Sequence, residues 1–342
     1  MLNNIKMSIV IPTHGRIDLF EKTLLSALGQ TCDSYEIIVS DDSSLESERE
    51  QIRNLIEQND TKGIVEYVFT KENLLQAPNT NQGLKAARGE YVRILHSDDL
   101  LSPNCVSREI ELFTSYPDVD VVYHNALPFT DKVYFNEHEK FENVPVKSRW
   151  LDDLIFVCTA LPSTMCFKKS LIEKIGLLDE KYRFVCDWEF WFRLLLHEHK
   201  AGHDILAVPA GYVGWRNHEE SITSTMSLTL FHEHIDFFNK LLEIYKEEQL
   251  LEKHTLKEKQ RVIEDSRYSR ILDDHKKHKN FVLPRIPMSY VLRHPHEYNK
   301  YLGRAAKSFM CFMSPFCAIA KWTASPFAFV FNMTKFIIKK DG

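Results

Sequence analysis

The sequence predicts an α/β protein: an open, mostly parallel sheet flanked by helices, followed by a helical C-terminal extension. Three observations carry that expectation. Short continuous apolar runs, Met7–Ile11 first among them, suit strands buried on both faces. Segments with apolar residues at helical spacing stand between these runs. The intervening chain is long enough for the crossover that parallel strands require, which is right-handed.

Along the chain, Met7–Ile11 is followed by a Pro12–Arg16 loop and a helix with Phe20, Leu24 and Leu28 on one face. Glu36–Ser40 is the second strand. A helix over residues 45–58 turns Ile52, Leu55 and Ile56 inward, and strand Ile64–Phe69 follows. Asn79–Arg88 reads as a helix and Tyr91–Leu95 as a buried strand. Ser102-Pro103 has the pattern of a cap and first helical residue, because Ser can accept a free amide and Pro wastes no hydrogen bond there. Val119–His124 closes this half as a strand. Positions 125–165 read as loops and short strands shaping an acceptor site. Lys168–Ile175 and Asp187–His199 read as helices. From Ser227 to about Leu272 the spacing predicts one amphipathic helix, with Phe231, Ile235, Phe238, Leu242 and Tyr245 inward. The expected divisions are a domain over 1–225, a helical extension over 226–292 and a basic, aromatic tail over 293–342.

A chain of 342 residues, 44% hydrophobic, can bury a substantial core. Its seven cysteines are scattered without a CxxC pair, which fits reduced thiols in a cytoplasmic protein. Met1–Met7 has no hydrophobic signal core, so export is not expected. The charge is uneven: residues 293–342 hold eight Lys/Arg and two acids, a net +6, so the rest holds −11 of the total −5. That tail is apolar and aromatic but is interrupted by Pro315, Lys321 and Pro326. No charge-free stretch reaches the about 20 residues of a spanning helix. The expectation is attachment to the anionic inner face of the plasma membrane; packing on protein is the alternative. An acidic body and an apolar tail argue against nucleic-acid binding.

Taken singly, the polar motifs have bland explanations. Asp41-Asp42, Asp98-Asp99 and Asp187 could each cap a helix, and His218 could be a solvated loop residue. Together they lie at strand ends or in loops, where ligands of such sheets gather. Sugar transfer from a nucleoside diphosphate needs this chemistry. A divalent cation on hard oxygen ligands helps the diphosphate leave; Asp99 beside Asp98 can hold it. A second carboxylate, far along the chain, must take the proton from the attacking hydroxyl; Asp187 fits.

An ordered set of motifs narrows the reading. Ile11-Pro12-Thr13-His14-Gly15-Arg16 and Val39-Ser40-Asp41-Asp42-Ser43-Ser44 come first. Asn81-Gln82-Gly83, Ala87-Arg88-Gly89-Glu90-Tyr91, Leu95-His96-Ser97-Asp98-Asp99 and Pro103 follow. Gly176-Leu177-Leu178-Asp179-Glu180, Asp187-Trp188-Glu189-Phe190-Trp191-Phe192-Arg193 and Trp215-Arg216-Asn217-His218 with Ser221 complete the set. Over residues 5–225 this resembles the family 2 inverting glycosyltransferases of GT-A fold. The resemblance implies a nucleotide-sugar donor, UDP-linked first, and an acceptor hydroxyl. By it, Thr13 and Asp41 contact the base, Asp98 the ribose or donor sugar, and Asp99 a Mn²⁺ or Mg²⁺ ion. Asp187 matches the catalytic base, and His218 a diphosphate- or metal-contacting position with Arg216 nearby. Family and tail together point to a carbohydrate or lipid-linked acceptor in surface polysaccharide synthesis.

Three departures stand out: His96 where the family often has Asp, Cys186 where a Glu often precedes the base, and Thr80 where Arg is frequent. Trp188, Trp191 and Trp215 are candidates for stacking on sugars, although Trp191 falls on an apolar helix face. Two other functions remain open. One is a non-catalytic nucleotide-sugar-binding partner subunit. The other is a sugar-phosphate nucleotidyltransferase, against which the single Gly of the first loop counts.

Overall fold

The computed structural model describes residues 5–135, 144–146, 161–218 and 228–250, all within one structural unit spanning residues 1–260. Parallel pairing dominates its first half because each strand is an apolar run covered on both faces. β1 (Met7–Thr13) and β2 (Tyr35–Asp41) are almost wholly buried. Helix α1 (Ile17–Leu28) joins them and buries Phe20 and Leu24. α2 (Glu46–Asn59) buries Ile52 and Ile56 and leads to β3 (Val65–Phe69). α3 (Gln76–Ala86) leads to β4 (Tyr91–Ile94).

After these come β5 (Leu100–Leu101), α4 (Cys105–Ser115), β6 (Val121–Phe129) and β7 (Val144–Val146). A 3₁₀ turn at Pro162–Thr164 leads to β8 (Met165–Lys168), α5 (Ser170–Ile175) and α6 (Cys186–Ala201). β9 (Ile205–Arg216) and α7 (Leu228–Glu247) complete the described part.

The sheet runs β3-β2-β1-β4-β8-β6-β9-β5, with β7 on β9. β3, β2, β1 and β4 are mutually parallel, and β8 is antiparallel to both neighbours. The chain therefore leaves β1 toward β2 on one side and returns to β4 on the other. A crevice opens beyond the carboxyl ends at such a reversal. Register fixes what lines it: Thr13 sits opposite Asp41, and Val10 opposite Ile94, just before the acidic motif.

Two motif glycines serve packing. A Cβ on Gly83 would lie 2.4 Å from Val10 Cγ1, so only glycine lets α3 sit this close to β1. On Gly89 it would lie 2.6 Å from the backbone nitrogen of Ser8. The adjoining Arg88 ties down the same corner: its backbone nitrogen and Nε donate to the buried Glu36 carboxylate at 2.6 and 2.8 Å.

Four expectations change. The fourth helix starts at Cys105, and Ser102 does not cap it; its hydroxyl donates to Asn104 at 2.9 Å. The free Val106 amide instead donates to Gln30 Oε1 at 3.0 Å, a tertiary cap that leaves the local one no task. Residues 165–168 form a strand, and the helix begins at Ser170. The last described helix stops at Glu247, with Gln249 at φ 53°. Its buried stripe is Phe237, Leu241 and Tyr245, and Leu242 is only half-buried. This stripe faces α6, where Phe237 meets Trp188 and Tyr245 meets Phe192. The side chains of Phe231, Ile235 and Phe238, and the tail, lie outside the described residues.

Candidate functional site

At the end of β1, Thr13 is 2% exposed, and its hydroxyl has no hydrogen-bond partner among the described residues. Opposite it, Asp41 is fully buried and its carboxylate is largely used. Ser43 donates to Oδ1 through its amide at 2.9 Å and its hydroxyl at 2.5 Å, and the Tyr67 hydroxyl donates to Oδ2 at 2.6 Å. Next along the chain, Asp42 accepts from Asn79 Nδ2 at 3.1 Å and from the Leu74 amide at 2.9 Å. His14 Nδ1 lies 3.1 Å from the same carboxylate. Burial nonetheless holds Asp42 above the usual carboxylate range.

The acidic motif follows β4. Asp99 is 3% exposed; Ser163 Oγ donates to its Oδ2 at 2.6 Å, and the Arg216 amide to its Oδ1 at 3.0 Å. Burial, then the neighbouring Asp98, pushes its carboxyl up to about 6. Asp98 is more open, at 20% side-chain exposure. Its Oδ2 lies 3.0 Å from His218 Nε2 and 3.6 Å from Arg16 Nη1. Arg16 adopts a left-handed backbone, φ 49°, which is uncommon for a residue with a side chain.

Ligand atoms of His96, Asp98 and Asp99 all lie within 4.8 Å of one another. Carboxylate and imidazole donors suit a divalent ion such as Mn²⁺ or Mg²⁺. Two carboxylates and an imidazole gathered this closely fit such an ion. His218 meets Asp98 rather than Asp99. Arg216 is 5% exposed and supports the motif from behind: Nε donates to the Asp98 carbonyl at 2.9 Å, and the guanidinium lies 4.5 Å over the Phe129 ring.

Asp187 occupies the first turn of α6, where a carboxylate is favoured by the helix dipole. Its Oδ1 accepts from the Trp188 amide at 2.8 Å, and the side chain is part-exposed. The loop ahead of it is held from far away in the sequence. Asn81 Nδ2 donates to the Leu178 carbonyl at 2.9 Å and to Glu180 Oε1 at 3.0 Å, while its Oδ1 accepts from the Leu178 amide at 2.9 Å. The Gly176–Glu180 motif is thus tied by the Asn81-Gln82-Gly83 motif. Trp191 is core, at 0% exposure against Phe167 and Phe190. Trp188, 5% exposed against Phe237, is core as well.

Arg16, Asp42, Asn79 and Ser163 were not selected as site residues from the sequence. Arg16 lies within the first motif and Asp42 within the second, so position was a usable signal for both. Ser163 has none, because its role comes from tertiary contact alone.

The chain is similar to known proteins in the same terms. Residues 8–176 match the profile of Glycosyl transferase family 2. An uncharacterized glycosyltransferase of Rickettsia typhi is 30% identical over 55% of this chain and 58% of its own length. A second from Rickettsia prowazekii is 27% identical over 72% of this chain and 74% of its own. A Campylobacter jejuni GalNAc(5)-diNAcBac-PP-undecaprenol beta-1,3-glucosyltransferase is 38% identical over 30% of this chain and 32% of its own length. Staphylococcus aureus TarS, residues 1–349 in complex with UDP-GlcNAc, superposes with a TM-score of 0.56 at 17% identity. That match covers 88% of this chain and 81% of TarS 1–349, a likeness of fold. The mixed, mostly parallel sheet with flanking helices is of the GT-A type, and residues 8–176 form a glycosyl transferase family 2 domain.

Proposed function

We propose that the chain transfers a sugar from a nucleotide-sugar, a UDP-sugar first, to an acceptor hydroxyl with inversion at the anomeric carbon. The observation that carries this is the convergence of residues 13–16, 96–99, 163 and 216–218 on one crevice. Acidic and imidazole groups meet there with charge left over. The UDP-sugar complex of TarS and the lipid-linked acceptor in the name of the Campylobacter relative support the choice of donor and acceptor class.

In this reading the buried Thr13 hydroxyl contacts the nucleotide. Asp41, three of whose about four acceptor directions are occupied, holds that end rigid and offers the base its remaining lone pair. Asp98 and Asp99, with His218 and His96, would hold a divalent ion, Mn²⁺ or Mg²⁺. Bound there, the ion supplies positive charge that stabilises the departing diphosphate. Arg16 and Arg216 add fixed charge beside the phosphates. Asp187 takes the proton of the acceptor hydroxyl as that oxygen bonds to the anomeric carbon from the face opposite the leaving group.

Lipid-linked acceptors lie at a membrane, and the basic, aromatic segment 293–342 supports peripheral attachment at the inner face. Among the described residues no helix is long and apolar enough to cross a membrane.

Nucleotide release from UDP-, GDP- and dTDP-sugars with Mn²⁺ tests the proposal, in the parent, Asp99→Ala and Asp187→Asn. Release from one donor, lost on chelation and in both variants, is expected. Pyrophosphate made from a sugar phosphate and a nucleoside triphosphate would replace this reading with a nucleotidyltransferase. Neither release nor metal-dependent donor binding would indicate a non-catalytic subunit.

A further inference from the structure

Among the described side chains of α7, Glu233, Phe237, Leu241 and Tyr245 recur every four residues and share one face. The last three are buried, at 1%, 0% and 0% exposure. Phe237 packs edge-on against Trp188 at 5.9 Å and Tyr182 at 5.6 Å, and Tyr245 stacks on Phe192 at 5.7 Å. This packing sets the register of α7 on α6, and the register carries Glu233 to the segment before Asp187. There one carboxylate accepts from three consecutive backbone amides: Arg183 at 3.1 Å, Phe184 at 2.6 Å and Val185 at 2.9 Å. Val185, which precedes the first turn of α6, makes no side-chain cap of its own. Of these amides only that of Val185 belongs to the helix start, so the carboxylate of α7 fastens chiefly the segment leading into α6.

We propose that Glu233 is a positioning residue for the catalytic base: held in register by the α6–α7 packing, it fastens residues 183–185 and so fixes Asp187. The inference rests on the assignment of Asp187 as base. It also accounts for the departure at Cys186. Where a Glu often precedes the base, this chain has a fully buried thiol, and a carboxylate arrives from α7 instead. Burial raises that thiol far above its ordinary range, and the charges of Asp187 and Glu233 both add to the shift, so the two carboxylates flank Cys186. Other charged groups around the segment have partners. Glu189 pairs with Arg193 and Asp179 with Lys181, each at 2.7 Å. Glu180 accepts from Asn81, Lys240 donates to the Tyr182 hydroxyl at 3.3 Å, and Arg183 lies over the Phe184 ring.

The test compares Glu233→Gln, Glu233→Ala, Glu233→Asp and Asp187→Asn in the full chain. It uses Mn²⁺-dependent nucleotide release from the UDP-sugar the parent accepts, with hydrogen exchange read at residues 183–185. Glu233→Ala is expected to speed exchange at these three amides about 10-fold or more, with exchange in β1 and β2 unchanged. kcat should fall about 10-fold with donor KM within about 2-fold. Glu233→Gln keeps an acceptor oxygen and removes the charge. It should leave the three amides partly protected and the rate between those of Glu233→Ala and the parent. Glu233→Asp should recover part of the rate. Unchanged exchange at 183–185 in Glu233→Ala, or a rate loss that only follows global unfolding, overturns the inference. Asp187→Asn that still releases nucleotide at the parent rate overturns the base assignment instead, whatever the Glu233 variants do to local exchange.

Discussion

Two clusters that hold carboxylates and histidines behave in opposite ways, one spanning β4, α4 and β6 and one just beyond β4. In the first, Arg93, Cys105, Glu109 and His124 are all fully buried. Arg93 Nη1 lies 3.2 Å from Glu109 Oε1, and His124 Nε2 lies 2.9 Å from the same oxygen. Burial alone would raise the Glu109 carboxyl, but the Arg93 guanidinium and His124 outweigh it, and Glu109 stays below its ordinary range. In the second, Asp98 and Asp99 have no guanidinium in such close contact; the Arg16–Asp98 separation is 3.6 Å. Asp99 is raised instead. The first cluster is closed by its own cation and belongs to the core. The second keeps negative charge and access, which is what a cation or a donor requires. Residue type does not separate the two; a fully buried guanidinium set against the carboxylate does.

The strongest way to break this comparison is to open the closed cluster. Arg93→Met leaves Glu109 buried without its cation and is expected to cost about 3–5 kcal/mol, read from urea unfolding. A loss under about 1 kcal/mol would mean the network is not charge-balanced as described. Closing the open cluster should do the reverse. Asp98→Asn is expected to lower metal-dependent nucleotide release by about 100-fold or more. Thermal stability should hold or rise, because Asp99 no longer faces a like charge; a marked fall would place Asp98 among the structural residues.

A smaller effect is expected for Asn81→Ala, which strands the Leu178 amide and carbonyl at a cost of about 1–3 kcal/mol. Nucleotide release should then decline mainly in kcat, since the loop ahead of Asp187 is loosened. Parent-like stability would show that water replaces Asn81 without loss.

The smallest effect concerns Glu198. It is fully buried near Asp120 and His203, and burial, then Asp120, raises its carboxyl. A folded-state value above the unfolded one means that folding takes up protons, so this contribution is lost as pH rises through the folded value. Glu198→Gln should therefore be more stable than the parent near neutral pH. The two should converge below about pH 4, where the unfolded carboxyl is protonated as well. Equal stability at neutral pH would mean that His203, 3.1 Å away, neutralises Glu198 fully.

Much of the site was legible because strand ends are legible. Ile9–Ile11 and Ile37–Val39 are continuous apolar runs, as suits parallel strands buried on both faces. The polar residues just after them, Thr13, Asp41, Asp98 and Asp99, fall where the crevice of such a sheet must lie. The departures at His96 and Cys186 were visible as well, but what compensates for the second was not.

From the sequence alone came the first four parallel strands with their helices, the family resemblance, and the residues that bring charge to the crevice. Each of these depends on neighbours within a few positions or on motif order. The tertiary structure decided which carboxylate is balanced by a fully buried cation and which is not. It also decided that Gln30 caps the fourth helix, that Ser163 braces Asp99, and that Glu233 secures the approach to Asp187. Those contacts join residues 48 to 76 positions apart. Their partners are chosen by how whole faces pack, and no local periodicity records that choice.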